Sequence, residues 1–311
     1  MIHRLTEPQE PFYAEISSIF NAMLAIGEND HTLPQRARQN CNLTKVLYWR
    51  LGRRRIVLEL ELDSSRDSGR EFKSMKPARL SPRFWRRDAY VLNRLAQRVA
   101  EIALRFHGGS LVGKPQPGSK VVDFGAGSAP YRACFERPEV SYLICDLDAG
   151  SEVRIDPGQP VPLPDHCAEL VLSFQVLEHV WDLDWYLSEA RRLMAPHGAL
   201  ILSTHGTWLY HPHPTDFRRW TRDGLIKELT SRGFVVQEVS AHVGPLAWTT
   251  QFRALGFYHL LSGIPLLGAP LAALVCAVMN LRMLVEDKLT PTEWINTNAA
   301  VYVLVARKAA V

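Results

Sequence analysis

Between Gly118 and Arg307 the chain alternates short apolar runs with stretches of helical periodicity. KVVDF, SYLICD, ELVLSF and ALILST are five or six residues each and are bounded by Gly, Pro or Asp, which predicts strands. Between the third and fourth runs, Leu183, Tyr186, Leu187, Ala190, Leu193 and Met194 share one helical face. Asp182 stands where an N-cap belongs, and Pro196 with Gly198 marks the stop. A second helix, capped by Thr221, runs to Gly233, and the strands FVVQEV and AAVYVLVARK follow it. Ahead of the first strand, Val91, Leu92, Leu95, Val99, Ile102, Ala103 and Phe106 recur at helical spacing until His107-Gly108-Gly109 ends the run. Strand and helix in alternation predict βαβ units and a mainly parallel sheet.

Two regions break this rhythm. Residues 1–87 read as a basic N-terminal extension of unclear fold, with a helix near Tyr13 to Ile26, a turn-prone GENDHTLPQ, a strand-like RIVLELEL and a polar SSRDSGREFKSMKP. The domain proper is then 88–311. Inside it, Ala254 to Leu281 is a run of 28 residues without Asp, Glu, Lys or Arg. A membrane span needs about 20 apolar residues. Here Gly256, Gly263, Pro265, Gly268 and Pro270 interrupt the run, which predicts two short apolar helices and a turn, an insertion at about 245–290. Such an insertion could cap the ligand side of the fold, form a homodimer face or meet a membrane surface as a peripheral contact. Packing against the chain's own N-terminal segment is the simplest of these readings.

Composition narrows the class. A chain of 311 residues, 47% hydrophobic and 22% charged, is globular and long enough for a sizeable core. Five scattered cysteines with no C-x-x-C pair suggest neither a disulfide scaffold nor a zinc site. The acidic start MIHRLTEPQEPF lacks the pattern of a secretory signal, so a cytoplasmic protein, membrane-associated at most, is expected. The net charge of +4 is uneven: Thr44 to Arg98 holds 15 Lys and Arg against 6 Asp and Glu, or +9, which leaves −5 elsewhere.

The chemistry concentrates after the strands. In VVDFGAGSAPY, Asp123 ends a strand, and Gly125 and Gly127 allow a tight turn and the close approach of a ligand. A dinucleotide loop would present a third glycine and free amides. Ala129 and Pro130 stand there instead, which tilts the site away from a nicotinamide-dependent oxidoreductase. Asp146, 23 residues after Asp123, ends the second strand, where a carboxylate can accept both hydroxyls of a ribose.

DFGAGSAPY, CDLD, LPDHCAELVLSFQVLEHV and LSEARRLMAPHGALILST together resemble the class I S-adenosylmethionine-dependent methyltransferases of the small-molecule methyltransferase-domain type. The resemblance is strong from Gly118 to Thr204 and weaker on to Arg307. It departs from the family at Ala129, and at Ala168-Glu169, where an aromatic residue and Asp are usual. It implies a Rossmann-like α/β three-layer sandwich with a mainly parallel seven-stranded sheet ending in an antiparallel hairpin. It also implies S-adenosyl-L-methionine as cofactor, with Asp123, Gly125 and Gly127 at the methionyl end and Asp146, with Leu147 beside it, at the ribose. Asp156 would lie near the adenine, and Gln175 and Val176 beside the cofactor. Glu178 and His179 would begin the next helix, His179 in a structural part. The acidic balance of this half suits a cationic sulfonium donor.

A loop rich in polar groups, TWLYHPHPTDFRRWT, follows ALILST. It places His211, His213 and Asp216 over the edge where such a fold receives its methyl acceptor. A histidine near its ordinary pKa of ~6.5 can take the proton of a hydroxyl or amine. The same H-x-H-x-x-D could bind a metal, or the groups could only tie the loop together, with Asp216 paired to Arg219 and Trp220 as anchor. HPxPxD-RWT resembles stretches of methyltransferases encoded with surface-polysaccharide and natural-product pathways. The acceptor expected is therefore an oxygen or nitrogen of a small molecule, a saccharide or a lipid-linked compound. An idle methyltransferase-like scaffold is disfavoured by the intact cofactor positions. Nucleic acid is disfavoured because no stacking pattern accompanies the basic residues 45–98.

Overall fold

A computed structural model describes residues 44–51, 54–61 and 84–309. The helix expected near Tyr13 to Ile26 lies outside them. The chain divides into two compact units, Met1–Phe72 and Lys73–Val311. In the first, β1 (Thr44–Leu51) and β2 (Arg54–Glu61) pair antiparallel from Thr44 opposite Glu61 to Leu51 opposite Arg54. The period-two pattern of RIVLELEL is thus a strand.

The second unit is built on a seven-stranded sheet of β3 (Ser119–Phe124), β4 (Val140–Asp146), β5 (Val153–Arg154), β6 (Ala168–Phe174), β7 (Met194–His205), β8 (Phe234–His242) and β9 (Val301–Lys308). Their order is β5-β4-β3-β6-β7-β9-β8. Strands β3 to β7 pair parallel, and β9 slots antiparallel between β7 and β8. This is the Rossmann-like α/β architecture expected, with β8 and β9 as the antiparallel closure. The strand β5 carries too short an apolar signal to be read from the sequence; it exists because Cys145 and Asp146 of β4 offer it a free edge.

Alternate residues of each strand feed two cores, one on each face of the sheet. Val121, Leu170, Leu172, Ile201, Val303 and Val305 pack with α1 (Ala89–His107) through its buried Leu95, Val99, Ile102 and Phe106. Val122, Phe124, Val171, Leu200, Leu202 and Leu304 pack with α3 (Leu183–Leu193) and α4 (Arg222–Thr230) on the other face. Each fully buried side chain of this kind contributes about 1.5 to 3 kcal/mol. A short α2 (Arg132–Phe135) follows the loop after β3. The Asp182 carboxylate accepts from Trp185 N at 3.0 Å, and the Thr221 hydroxyl accepts from Gly224 N at 3.1 Å, so both predicted N-caps are formed. Helix α3 ends at Leu193, and β7 begins at Met194, so Pro196 and Gly198 lie in the strand rather than in a separate turn.

The connection from β8 to β9 holds α5 (Pro245–Ser262), α6 (Gly268–Leu289) and α7 (Thr292–Thr297). The two apolar helices are longer than the glycines and prolines predict. Pro270 falls in the first turn of α6, where no N–H is needed, and Gly256 is carried inside α5. The α5–α6 pair is stitched to the start of α1 by polar groups. The Asn280 carboxamide accepts from Tyr90 N at 2.9 Å and donates to the carbonyls of Phe84 at 2.8 Å and Arg86 at 2.9 Å. Gln251 Nε2 donates to Arg87 O at 2.7 Å, and Asp287 accepts from the Tyr90 hydroxyl at 2.8 Å.

Removing that carboxamide tests how the helical pair is held. Asn280→Ala takes the partner from the Tyr90 N–H and the Phe84 carbonyl, while Arg86 O keeps Ala89 N, and is expected to lower the unfolding free energy by about 2 to 3 kcal/mol. Urea denaturation reads this as a lower midpoint at constant slope. An unmoved midpoint would show that the apolar contacts alone seat the helices.

Candidate active site

The loop after β3 is shaped by backbone geometry. Gly125 and Gly127 take φ of +89° and +53°, in the left-handed region that glycine enters without strain. Gly125 N and Ala126 N both donate to Cys145 O, at 2.8 and 3.1 Å, which pins the loop to β4. A Cβ on Gly125 would meet both Val176 methyl groups at 2.7 Å, so the β3 and β6 ends approach as closely as this residue allows. At Gly127 a Cβ would meet nothing within 4 Å, and the loop there opens as a cradle. Ala129, at the place of a third glycine, also has a positive φ, of 49°.

Asp146 closes the cradle from the end of β4. Its Oδ2 accepts from Gly127 N at 2.6 Å and its Oδ1 from Leu147 N at 2.7 Å, which leaves further lone pairs on both oxygens for a ligand's hydroxyls. Leu147 is exposed beside it. Asp123 is buried and accepts a hydrogen bond from the Tyr142 hydroxyl. Burial pushes its carboxyl up to about 7, against the opposing pull of that hydrogen bond. It therefore supports the loop from within. Asp156 is exposed and paired with Arg154 at 3.0 Å, just past the two-residue strand beside Asp146. Gln175, at φ +56°, donates from its backbone to Ser203 O at 2.9 Å and from Nε2 to Ser203 Oγ at 3.0 Å. Its buried Oε1 has no partner, which makes it an acceptor in waiting.

The acceptor side is assembled from the ends of β6 and β7 and the loop 206–221. That loop is tied to the 3₁₀ turn Leu177–His179: Phe217 N donates to Glu178 O at 2.9 Å, and His179 Nδ1 donates to Thr215 O at 2.5 Å. Arg218 reaches the carbonyls of Val180 and Trp181, and Trp220 N donates to His205 O at 3.2 Å. Four histidine rings converge as a result. His211 lies 4.8 Å from His213, 5.6 Å from His179 and 6.0 Å from His205 between ring centroids. The Trp208 indole stacks on His205 at 4.9 Å and 4°.

At two of these rings, His211 and His205, the surroundings favour the neutral form. Burial lowers the pKa of His211, and the neighbouring His213 and His179 lower it further. His205 is held well below the ordinary histidine range by burial and by Arg219. Glu178 is fully buried; its Oε2 accepts from Thr204 Oγ1 at 2.8 Å, and its Oε1 stands 3.3 Å from His205 Nε2 outside hydrogen-bond geometry. Burial raises this carboxyl to about 7.

Of the residues expected to carry catalysis, His211 and His213 stand in this cluster, and Asp216 serves the loop instead. Arg219 clasps both Asp216 oxygens, at 2.5 and 2.6 Å, and His211 N donates to it at 2.7 Å. Both oxygens of the carboxylate are thus engaged by a guanidinium, and Arg219 holds it below its ordinary pKa. His179 proves to be both a loop anchor and a member of the cluster. The motifs pass over His205 and the Glu178 carboxyl. A signal for His205 exists, since it directly follows the buried strand ALILST at the edge where open sheets bind ligands. A shallow cleft of about 360 Å³, lined by Trp181, Asp182, Arg218 and Arg232 among others, includes none of the four histidines and shares Arg218 and Trp181 with the ties of the loop.

Comparison with known proteins gives this geometry a family context. Residues 122–202 match the family model described as "Methyltransferase domain". Over 84 residues the chain is 32% identical to a Mycolicibacterium smegmatis protein named "Probable S-adenosylmethionine-dependent methyltransferase", covering 25% of this chain and 33% of that one. Over 81 residues it is 33% identical to a protein of the same description from Mycobacterium tuberculosis H37Rv, covering 24% and 30%. The match thus spans about a third of the length of these curated relatives. Among solved structures, the Haemonchus contortus phosphoethanolamine N-methyltransferase 2 in complex with S-adenosyl-L-methionine aligns at 14% identity over 69% of this chain and 53% of that one, with a TM-score of 0.43.

The raised pKa of Glu178 predicts a pH-dependent stability. A carboxyl lifted from 4.5 to about 7 on folding contributes stability that is fully present below pH 4.5 and is lost as pH rises through 7. Glu178→Gln removes that loss, so its stability relative to the parent is expected to rise across this window in urea titrations. A difference that stays constant from pH 4.5 to 7 would show that Glu178 ionises as freely in the folded protein as in the unfolded one.

Proposed function

We propose that this chain, whose residues 122–202 match a methyltransferase-domain family, is a class I S-adenosylmethionine-dependent methyltransferase that methylates an oxygen or nitrogen of a small-molecule, saccharide or lipid-linked acceptor. The residues present fit the cofactor. The space over Gly127, the spare lone pairs of Asp146 and the unpartnered Gln175 Oε1 are what a ligand with ribose hydroxyls and an ammonium group requires. Asp146 would hold the ribose, Leu147 would lie against the base, and Gln175 and Val176 would flank the reactive end. When bound, S-adenosylmethionine supplies a methyl group on a cationic sulfonium, ready for in-line displacement.

The observation that carries the reading is the cluster of histidines over the ends of β6 and β7, one strand end from the close approach of Gly125 and Val176. His211 takes the proton from the acceptor hydroxyl or amine as that atom becomes nucleophilic. His179 and His205, with Trp208 stacked on the latter, hold its surroundings and keep water out. Alignment of donor and acceptor in such a cleft accounts for much of the rate, up to ~7 to 11 kcal/mol in favourable systems. The base adds roughly a hundredfold to ten-thousandfold.

Incubation of cell extract with labelled S-adenosylmethionine, followed by mass spectrometry, identifies the acceptor. On it, His211→Ala is expected to reduce kcat by roughly a hundredfold or more, with S-adenosylhomocysteine affinity by calorimetry unchanged. Unchanged turnover would remove His211 from the reaction. Because the pKa of His211 is lowered from 6.5, the parent's rate should already be on its plateau at pH 7 and fall only below 6.5. Asp146→Ala should instead weaken S-adenosylhomocysteine binding, and intact affinity would displace the ribose assignment.

A further inference from the structure

The α5–α6 hairpin has its hydrophobic pattern inside out. The face of α6 packed into the protein carries Gly268, Ala272, Cys276, Asn280 and Met283, which are small or polar for the most part. The opposite face presents Leu271, Leu274, Val278, Leu281, Val285 and Leu289, all exposed, with Leu274 at 62%. A helix lying on a protein in water shows the reverse, since its apolar face is the one driven inward. Small and hydrogen-bonding residues inside with leucines outside is the arrangement of helices whose surroundings are lipid.

Nor is the apolar surface confined to one stripe. It continues around the tip, where Leu266 is 95% and Leu267 71% exposed, and onto α5 at Leu260, 70% exposed, with Phe257 and Ile264 beside it. A partner helix from a second copy would cover the α6 stripe and leave the tip and α5 in water. A lipid phase covers the stripe as far as Leu281 together with the tip and α5. The α6 helix is long and apolar enough to cross a membrane, yet only 28% of its apolar window is buried in the protein, so it is no core helix.

Dimensions and charge decide how deep. The uncharged part of α6, Gly268 to Leu281, extends ~21 Å at 1.5 Å per residue, and the uncharged end of α5, Ala254 to Ser262, ~13 Å. One leaflet of a ~30 Å hydrocarbon core is ~15 Å thick, so the hairpin matches a leaflet and falls short of two spans. Where the uncharged stretch ends, the structure gathers an interfacial girdle. Arg253 and Arg282 bracket it in sequence. Asn280 draws the 84–86 segment to that level, and with it the exposed aromatics Phe84 and Trp85 and the adjoining Arg86. Arg87 lies 4.9 Å over the Tyr258 ring. Aromatics and cations at one depth are what the headgroup layer of an anionic bilayer accepts.

We propose that the α5–α6 hairpin is a monotopic membrane anchor that inserts its tip into one leaflet of an anionic bilayer, with Arg86, Arg87, Arg253 and Arg282 at the lipid phosphates. This goes beyond the methyltransferase reading and does not depend on it. The two are mechanically joined, however: Phe252, next to Arg253, packs against Trp208 of the acceptor loop at 5.9 Å. The anchored surface therefore lies beside the groups assigned to the acceptor.

The full chain is floated with vesicles of phosphatidylcholine and phosphatidylglycerol, and separately with phosphatidylcholine alone. The parent is expected to rise with the anionic vesicles. Leu266→Glu with Leu267→Glu should lower its partitioning roughly tenfold or more, since each charge must be carried into hydrocarbon. Arg253→Glu with Arg282→Glu should remove the preference for anionic lipid. Unchanged circular dichroism and S-adenosylhomocysteine binding confirm that the variants are folded, and failure of the methyltransferase reading alone would leave flotation intact. A parent that stays in the soluble fraction with both vesicles overturns the proposal. So does a tip variant that floats as well as the parent, which would put the membrane contact elsewhere. A dimer in light scattering that Leu274→Glu dissociates, without flotation, assigns the face to a second copy instead.

Discussion

The buried Glu178 is the point on which the site turns. Its backbone carbonyl holds the acceptor loop through Phe217, its carboxyl takes the Thr204 hydroxyl from β7, and its free oxygen faces His205. Strand end, 3₁₀ turn and loop meet at one residue with no access to water. Without that junction His179, on the turn, and His211 and His213, on the loop, would have no reason to share a volume. A buried carboxyl is tolerated there because hydrogen bonds meet part of its demand and because its pKa near 7 lets it stay uncharged for part of the time.

The same economy of charge runs through the site. Asp123 is buried under the glycine loop with its carboxyl raised, and His205 and His211 are lowered, so the interior groups favour their neutral forms. Asp216 and Arg219 form a tight, largely buried pair that pins the loop, and Asp146 receives two backbone amides at the end of β4.

The helical connection between β8 and β9 obeys a different rule from the rest of the domain. The sheet and its flanking helices bury leucine, valine and phenylalanine and expose polar groups. The α5–α6 pair meets the body through Asn280, Gln251 and Asp287 and presents its leucines outward. Hydrogen bonds specify where the pair sits, while its outer surface is apolar, the feature on which the proposed anchor rests.

The sequence by itself determined the sheet, its flanking helices, their caps and the cofactor loop, because these rest on local signals. Period-two and period-3.6 patterns, Thr221 and Asp182 at helix starts, and glycines at positive φ act within a few residues of one another. It also singled out the loop with His211 and His213, from composition alone. What it could not determine were relations between distant residues. The two-residue β5 depends on the edge of β4, and the length of α5 and α6 on contacts that outweigh Gly256. The engagement of Asp216 by Arg219, only three residues away, is one of three roles the local sequence allows, and the fold decides it by turning both side chains inward. Glu178 and His205, 27 positions apart, became neighbours only when β6 and β7 paired in parallel. Tertiary structure decided the site's chemistry because burial and proximity, which set the pKa values and gather the histidines, belong to no single stretch of chain.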